Sequence, residues 1–342
     1  MTNPVSVERQ TPLLLTLAAL VIVIAGLKVA APLIAQFLMA LFIAVVSTPS
    51  IRWLVSKKVP QSIAIIAVLL AILLFVSLIV YLVGDSVQSF NENREVYASK
   101  LQSQLSALTA WMVSVGLPAE GIEIASIIEK TDIMALVTRV IGGLGVIFSD
   151  FFVIFLSVIF ILSEITSFPS KFARAFSNSQ DKMVHVNHVL GKIRHYLAIK
   201  TAASIGTGIL ISILMVIIGV DYPFLWGMLA FLLNYIPNIG SIIAAIPALM
   251  LALVQLGPAA VLWTAISFFA VNNLVGNYLE PKFMGKMLGL STFVVFLSLI
   301  FWGWIFGSVG MFLSVPLTMT IKIALETNDK TRWLAIMLGP EE

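Results

Sequence analysis

The chain contains no cysteine in its 342 residues, so no disulfide can form and the redox compartment is left open. Charge is equally scarce. Asp, Glu, Lys and Arg make up 11% of the residues, hydrophobic residues 60%, and the mean hydropathy is +1.05. A soluble domain carries about 25% charged and about 45–50% apolar residues, so this composition excludes the soluble class and marks an integral membrane protein. The net charge of +3 is too small and too dispersed for nucleic-acid binding. A phosphate-binding loop, GxxxxGK[ST], is missing. The Gly-Lys pairs at Gly191 and Gly285 are followed by Ile193 and Met287, which excludes an ATP-driven pump of that type. Neither HExxH nor GxSxG occurs, so a membrane protease is excluded, and no enzyme activity or cofactor is expected. A channel stays open as a class, although no ring of acids or repeated filter loop is present.

What the chain has is long apolar runs. Spans of about 20 residues each are expected near 12–31, 33–50, 62–83, 142–163, 201–220 and 259–277, and two further stretches, 224–254 and 290–321, are interrupted internally. The first run shows no cleavage pattern and is expected to be a retained span. Lys and Arg placement orients the chain. The segment 84–139 carries seven acids (Asp85, Glu92, Glu95, Glu120, Glu123, Glu129, Asp132) against four bases (Arg94, Lys100, Lys130, Arg139). Segment 164–200 carries six bases (Lys171, Arg174, Lys182, Lys192, Arg194, Lys200) against Glu164 and Asp181. The basic segment and the Arg52, Lys57, Lys58 loop are expected inside. The acidic segment and Asp221 are expected outside, with both termini cytoplasmic.

The expected organisation is all-α and polytopic, with about seven to eight transmembrane helices. It comprises N-terminal spans (1–83), an extracytoplasmic amphipathic helical segment (84–139), one further span (140–163) and a basic cytoplasmic segment (164–200). A C-terminal transport core (201–322) and a cytoplasmic tail (323–342) complete it. In the external segment Phe90, Tyr97, Leu101, Leu108 and Met112 recur at helical spacing. Each half of 224–254 is too short for a 30 Å hydrocarbon core, so both interrupted stretches are expected to be hairpins that enter and leave on one side.

The most informative stretch is LNYIPNIGSIIAAIPA, Leu233 to Ala248. Pro237 followed by Gly240 marks a helix break, and a proline inside a helix costs about 3 kcal/mol. In lipid, freed backbone groups survive only where protein buries them or they line a wet cavity. Asn234, Tyr235, Asn238 and Ser241 flank the break and Pro247 follows it, so the stretch has the character of a solute pathway wall. A loop cap of Asn and Ser at helix ends is the alternative. The second stretch, SLIFWGWIFGSVGMFLSVPLT, holds Gly303, Gly307, Gly310 and Pro316, read either as a second break or as helix packing. Between them, Asn273, Asn277 and Glu280 are spaced to share one helix face and could hold a polar solute or act as polar glue. Thr201, Ser204 and Gly208 form a small polar stripe better suited to packing than to binding. Asp150, Glu164 and Glu280 are the titratable groups near span ends and the candidates for ion or proton coupling. His185, His188 and His195 fall on the polar side of an amphipathic helix, and no metal site is expected there.

Segments 233–248, 279–304 and GMFLSVPLT (310–318), together with RHYLAIKT (194–201) and ALFIAVV (40–46), resemble the autoinducer-2 exporter family of bacterial membrane proteins over almost the whole chain. The resemblance implies an inner-membrane homo-oligomer, expected to be a pentamer, that exports the quorum-sensing signal autoinducer-2. It also implies pathway roles for Asn234, Pro237, Gly240, Pro247, Asn277, Glu280 and Pro281. Other members resemble sodium–proton antiporters, which is the alternative function. A polyhydroxylated cargo needs amides, hydroxyls and free backbone groups, whereas an antiporter needs a titratable carboxylate at depth. The breaks favour the first.

Overall fold

The computed structural model describes residues 10–115, 151–164, 180–237, 239–284, 289–327 and 330–340, and among these every regular element is helical. Among the described residues six helices are long and apolar enough to cross a membrane, and two shorter apolar helices accompany them. Large apolar side chains point outward along them: Ile217 is 73% exposed, Phe269 72% and Phe152 73%. Lipid tails are as apolar as these groups, so the helices are held by shape and by buried polar contacts more than by the hydrophobic effect.

Helix α1 (Gln10–Val29) leads into α2 (Ala31–Ser56) through Ala30 alone. Ala30 keeps φ −82° and ψ 0°, its N–H donates to Gly26 O, and Ile34 N–H donates to Ala30 O. One residue in this conformation bends a helix without reversing it, so the turn expected between the first two spans is a kink. Pro32 explains it, because its missing N–H fits only the first turn of a helix. Helix α3 (Gln61–Glu92) runs well past residue 84, and α4 (Arg94–Ser114) follows it. Helix α5 (Phe151–Glu164) packs on α2 and α3, where Ala40, Ala44 and Ala64 let Val158 and Leu162 approach closely. Asp150 and the side chain of Leu108 lie outside the described residues.

Helix α6 (Gln180–Ile218) is continuous, about 58 Å long. The basic segment therefore runs into the apolar span without a break at residue 200, because no proline or left-handed residue interrupts it. Next come α7 (Pro223–Leu233) and α8 (Ile239–Leu256), then α9 (Pro258–Asn272), a π-helix (Asn273–Leu279) and α10 (Glu280–Met284). Helix α11 (Thr292–Glu326) and the short α12 (Arg332–Met337) end the described chain.

Both interrupted stretches are helical hairpins. The ends of the first meet: Asp221 N–H donates to Gln255 Oε1 at 2.9 Å, and Gln255 Nε2 donates to Gly219 O at 3.1 Å. Its limbs are unequal, 11 and 18 residues, instead of two matched halves. The second is α11, folded on itself at Gly307, which has φ 64° and ψ −143°. Thr318 Oγ1 donates to Ser298 Oγ at 2.8 Å, and Trp302 Nε1 donates to Thr318 Oγ1 at 2.9 Å. Residues 20 apart in a straight helix would lie about 30 Å from each other. Only glycine adopts that backbone readily. Gly310 is required for a different reason: a Cβ there would come within 1.9 Å of Trp302 O.

Candidate functional site

The break in the first hairpin is turned inward and held by α6. Asn234 ends α7, is buried, and donates from Nδ2 to Ser204 Oγ at 3.0 Å. Tyr235 Oη donates to Thr201 Oγ1 at 2.8 Å. Its ring stacks on Phe312 of the second hairpin (centroids 4.5 Å apart, 25° between planes) and meets Phe42 and Phe231 edge-on. Thr201 and Ser204 are therefore the hydroxyls that receive the broken tip, a role beyond the packing expected of them. Gly240 is buried beneath this turn, where a Cβ would meet Leu233 O at 1.8 Å. Ile236 N–H donates to Leu233 O and Gly240 N–H to Ile236 O, so the turn pays part of its backbone cost internally. Pro237 and Ser241 are half-buried, Pro247 is buried inside α8, and Asn238 lies outside the described residues.

One turn below, Lys200 Nζ donates to both oxygens of Glu280, at 2.8 and 2.9 Å. The two side chains are 6% and 13% exposed, a buried ion pair 80 residues apart in sequence. In the sequence Lys200 is one more base of the segment 164–200. The signal that would have found it is its place on the stripe Lys200, Ser204, Thr207, Ile211, Met215, all buried at helical spacing.

Asn273, Asn277 and Glu280 do not share a face. The π-helix at 273–279 has wider turns than an α-helix, and this shifts the phase. Asn277 Nδ2 donates to Asn273 Oδ1 at 2.9 Å and Asn273 Nδ2 donates to Phe269 O at 2.8 Å on the outer side. Glu280 turns inward to Lys200, and Pro281 is exposed. Glu164 is exposed at the end of α5. His195 is exposed, and the side chains of His185 and His188 lie outside the described residues. Among the described residues no group of acids and histidines is arranged to hold a metal.

At the other end of the hairpin, α4 is fastened to its mouth. Tyr97 Oη donates to Asp221 Oδ2 at 2.8 Å and lies 3.2 Å from Tyr222 Oη. Burial, then the contacts with Tyr222 and Asp221, hold the Tyr97 hydroxyl above the usual tyrosine range. Burial likewise raises Tyr222. Gln104 packs over Gly257, where a Cβ would meet Gln104 Oε1 at 2.4 Å.

Residues 17–329 match the model of the AI-2E family transporters. A protein of Haemophilus influenzae is 42% identical over 336 residues, 96% of each chain. The AI-2 transport protein TqsA of Escherichia coli (strain K12) is 36% identical over 339 residues, 99% of this chain and 98% of that one. YhhT of the same organism is 35% identical over 328 residues, 96% of this chain and 94% of that one. The descriptions of the Haemophilus protein and of YhhT specify no cargo.

Proposed function

The chain belongs to the AI-2E transporter family, and on that premise we propose that it is a secondary transporter exporting autoinducer-2 or a similar small polar solute across the bacterial inner membrane. The observation that carries the proposal is the double tether of the first hairpin's tip to α6, Asn234 to Ser204 and Tyr235 to Thr201. Amides and hydroxyls converge there on broken backbone at membrane depth, which is the chemistry a neutral polyhydroxylated cargo needs.

Both hairpins are re-entrant in this proposal. The first enters from outside, since its mouth is fastened to α4 at Tyr97 and Asp221. The second enters from the cytoplasm, since its base holds Lys322 and Glu326. Two opposed hairpins meeting at Tyr235 and Phe312 give a barrier that can be opened from either side. The pathway comprises Asn234, Tyr235, Pro237, Asn238, Gly240, Ser241 and Pro247. A homo-oligomer, as a pentamer, is part of the same proposal.

The sodium–proton antiporter alternative asks for a carboxylate free to exchange cations. Lys200 already neutralises Glu280, which favours the neutral cargo. The test uses purified protein in liposomes given labelled autoinducer-2 under imposed proton and sodium gradients. Saturable signal movement, lost in Asn234→Ala, supports export and identifies the driving ion. A sodium-dependent pH change without signal movement, abolished by Glu280→Gln, transfers the function to antiport.

A further inference from the structure

Two buried hydroxyls, those of Thr207 on α6 and Thr264 on α9, make no hydrogen bond with the protein. Several other buried hydroxyls of the bundle are satisfied by backbone carbonyls. Ser267 donates to Trp263 O at 2.8 Å, Ser298 to Val294 O at 2.7 Å, and Thr48 to Ala44 O at 2.8 Å. Leaving a buried hydroxyl unmade costs about 1–3 kcal/mol unless a solute or a water supplies the partner. The two threonines differ in their surroundings. Thr264 is fully buried on α9, which packs against α8, and stands apart from the polar contacts of the hairpin tip. Thr207 is 4% exposed and continues the polar stripe of α6: it lies three residues beyond Ser204, which holds Asn234, and seven beyond Lys200, which holds Glu280. Helix α6 also packs against the π-helix Asn273–Leu279. Above Thr207 the stripe becomes apolar at Ile211 and Met215, both fully buried.

We infer that Thr207 is a specificity-determining residue that hydrogen-bonds a hydroxyl group of the transported solute, between the Asn234 tip and the apolar seal at Ile211 and Met215. This rests on the export proposal and deepens it by naming the group that recognises a polyhydroxylated cargo. A threonine hydroxyl both donates and accepts, so it serves a neutral hydroxyl without selecting charge. Valine has nearly the same shape but leaves a solute hydroxyl unpaired.

The experiment measures proteoliposome uptake of labelled autoinducer-2 and of an analogue lacking one hydroxyl, by wild type, Thr207→Val and Thr207→Ser. Wild type should favour autoinducer-2 over the analogue. Thr207→Val should raise the KM for autoinducer-2 about five- to tenfold, leave the analogue unchanged and so erase the preference. Thr207→Ser should restore it, and the thermal midpoint of Thr207→Val should equal or exceed wild type, because an unsatisfied hydroxyl has been removed. Equal losses on both solutes, a lower midpoint, or no effect of valine would overturn the inference and leave Thr207 a packing residue while export stands. If wild type moves neither solute, the export proposal itself fails and takes this inference with it.

Discussion

Lys200 and Glu280 meet in the core as a two-pronged ion pair, with the ammonium 2.8 and 2.9 Å from the two carboxylate oxygens. Breaking such a pair from one side leaves an uncompensated buried charge, which costs about 3–5 kcal/mol, whereas replacing both partners by apolar groups is often neutral. Glu280→Gln and Lys200→Met should therefore each lower the thermal midpoint in detergent, and Lys200→Met/Glu280→Leu should recover most of the loss. Additive losses in the double variant would mean that the two residues do not act as a pair.

The Tyr235 ring and its hydroxyl do separate work. The hydroxyl makes one bond, to Thr201, while the ring packs on Phe312, Phe42 and Phe231. Tyr235→Phe should cost about 1 kcal/mol and Tyr235→Ala about 3–5 kcal/mol, read as unfolding midpoints of purified protein. Equal effects of the two would show that the aromatic contact between the hairpins carries no stability.

The folding-back of α11 is directly testable because the chain has no cysteine. Ser298→Cys with Thr318→Cys places two thiols where hydroxyl oxygens are 2.8 Å apart. Mild oxidation should give an intrachain crosslink that appears as a mobility shift. A straight 35-residue helix would hold the two positions about 30 Å apart and give none. Gly307→Ala, which forces a non-glycine residue to φ 64°, should reduce the crosslink yield.

Docking of α4 should weaken in alkali. Folding keeps the Tyr97 phenol above its ordinary range, so its contribution is complete below about pH 10 and is lost as pH rises above the unfolded value. Proteolysis of 94–114 should accelerate with pH in wild type. In Tyr97→Phe, which lacks the bond to Asp221, it should start higher and rise less steeply. Identical profiles would remove Tyr97 from the docking contact.

Proline and glycine made the two breaks legible. Pro237 with Gly240 marked the first, and the glycines from 303 to 310 marked the second, because backbone reversal inside an apolar run needs those residues. What spacing could not reveal was anything fixed by long-range approach. Lys200 looks like the last base of a cytoplasmic segment until Glu280 is brought beside it. Asn273, Asn277 and Glu280 share a face only at 3.6 residues per turn, and the π-helix removes that condition. Thr201 and Ser204 carry no distinguishing pattern of their own, since small hydroxyl residues serve packing equally well. Their part emerged only from what the tip of the first hairpin touches.

The measurement that bears most directly on the pathway is solvent access at Asn234. In the cysteine-free chain, Asn234→Cys should react with a water-soluble maleimide applied in inverted membrane vesicles, and autoinducer-2 should slow that labelling. A control cysteine at Phe269, which faces outward and is 72% exposed, should stay unlabelled in lipid. Labelling at 234 that is protected by the solute supports a wet, solute-lined break. No labelling at 234, or labelling indifferent to the solute, would contradict it and make the break a buried structural cap.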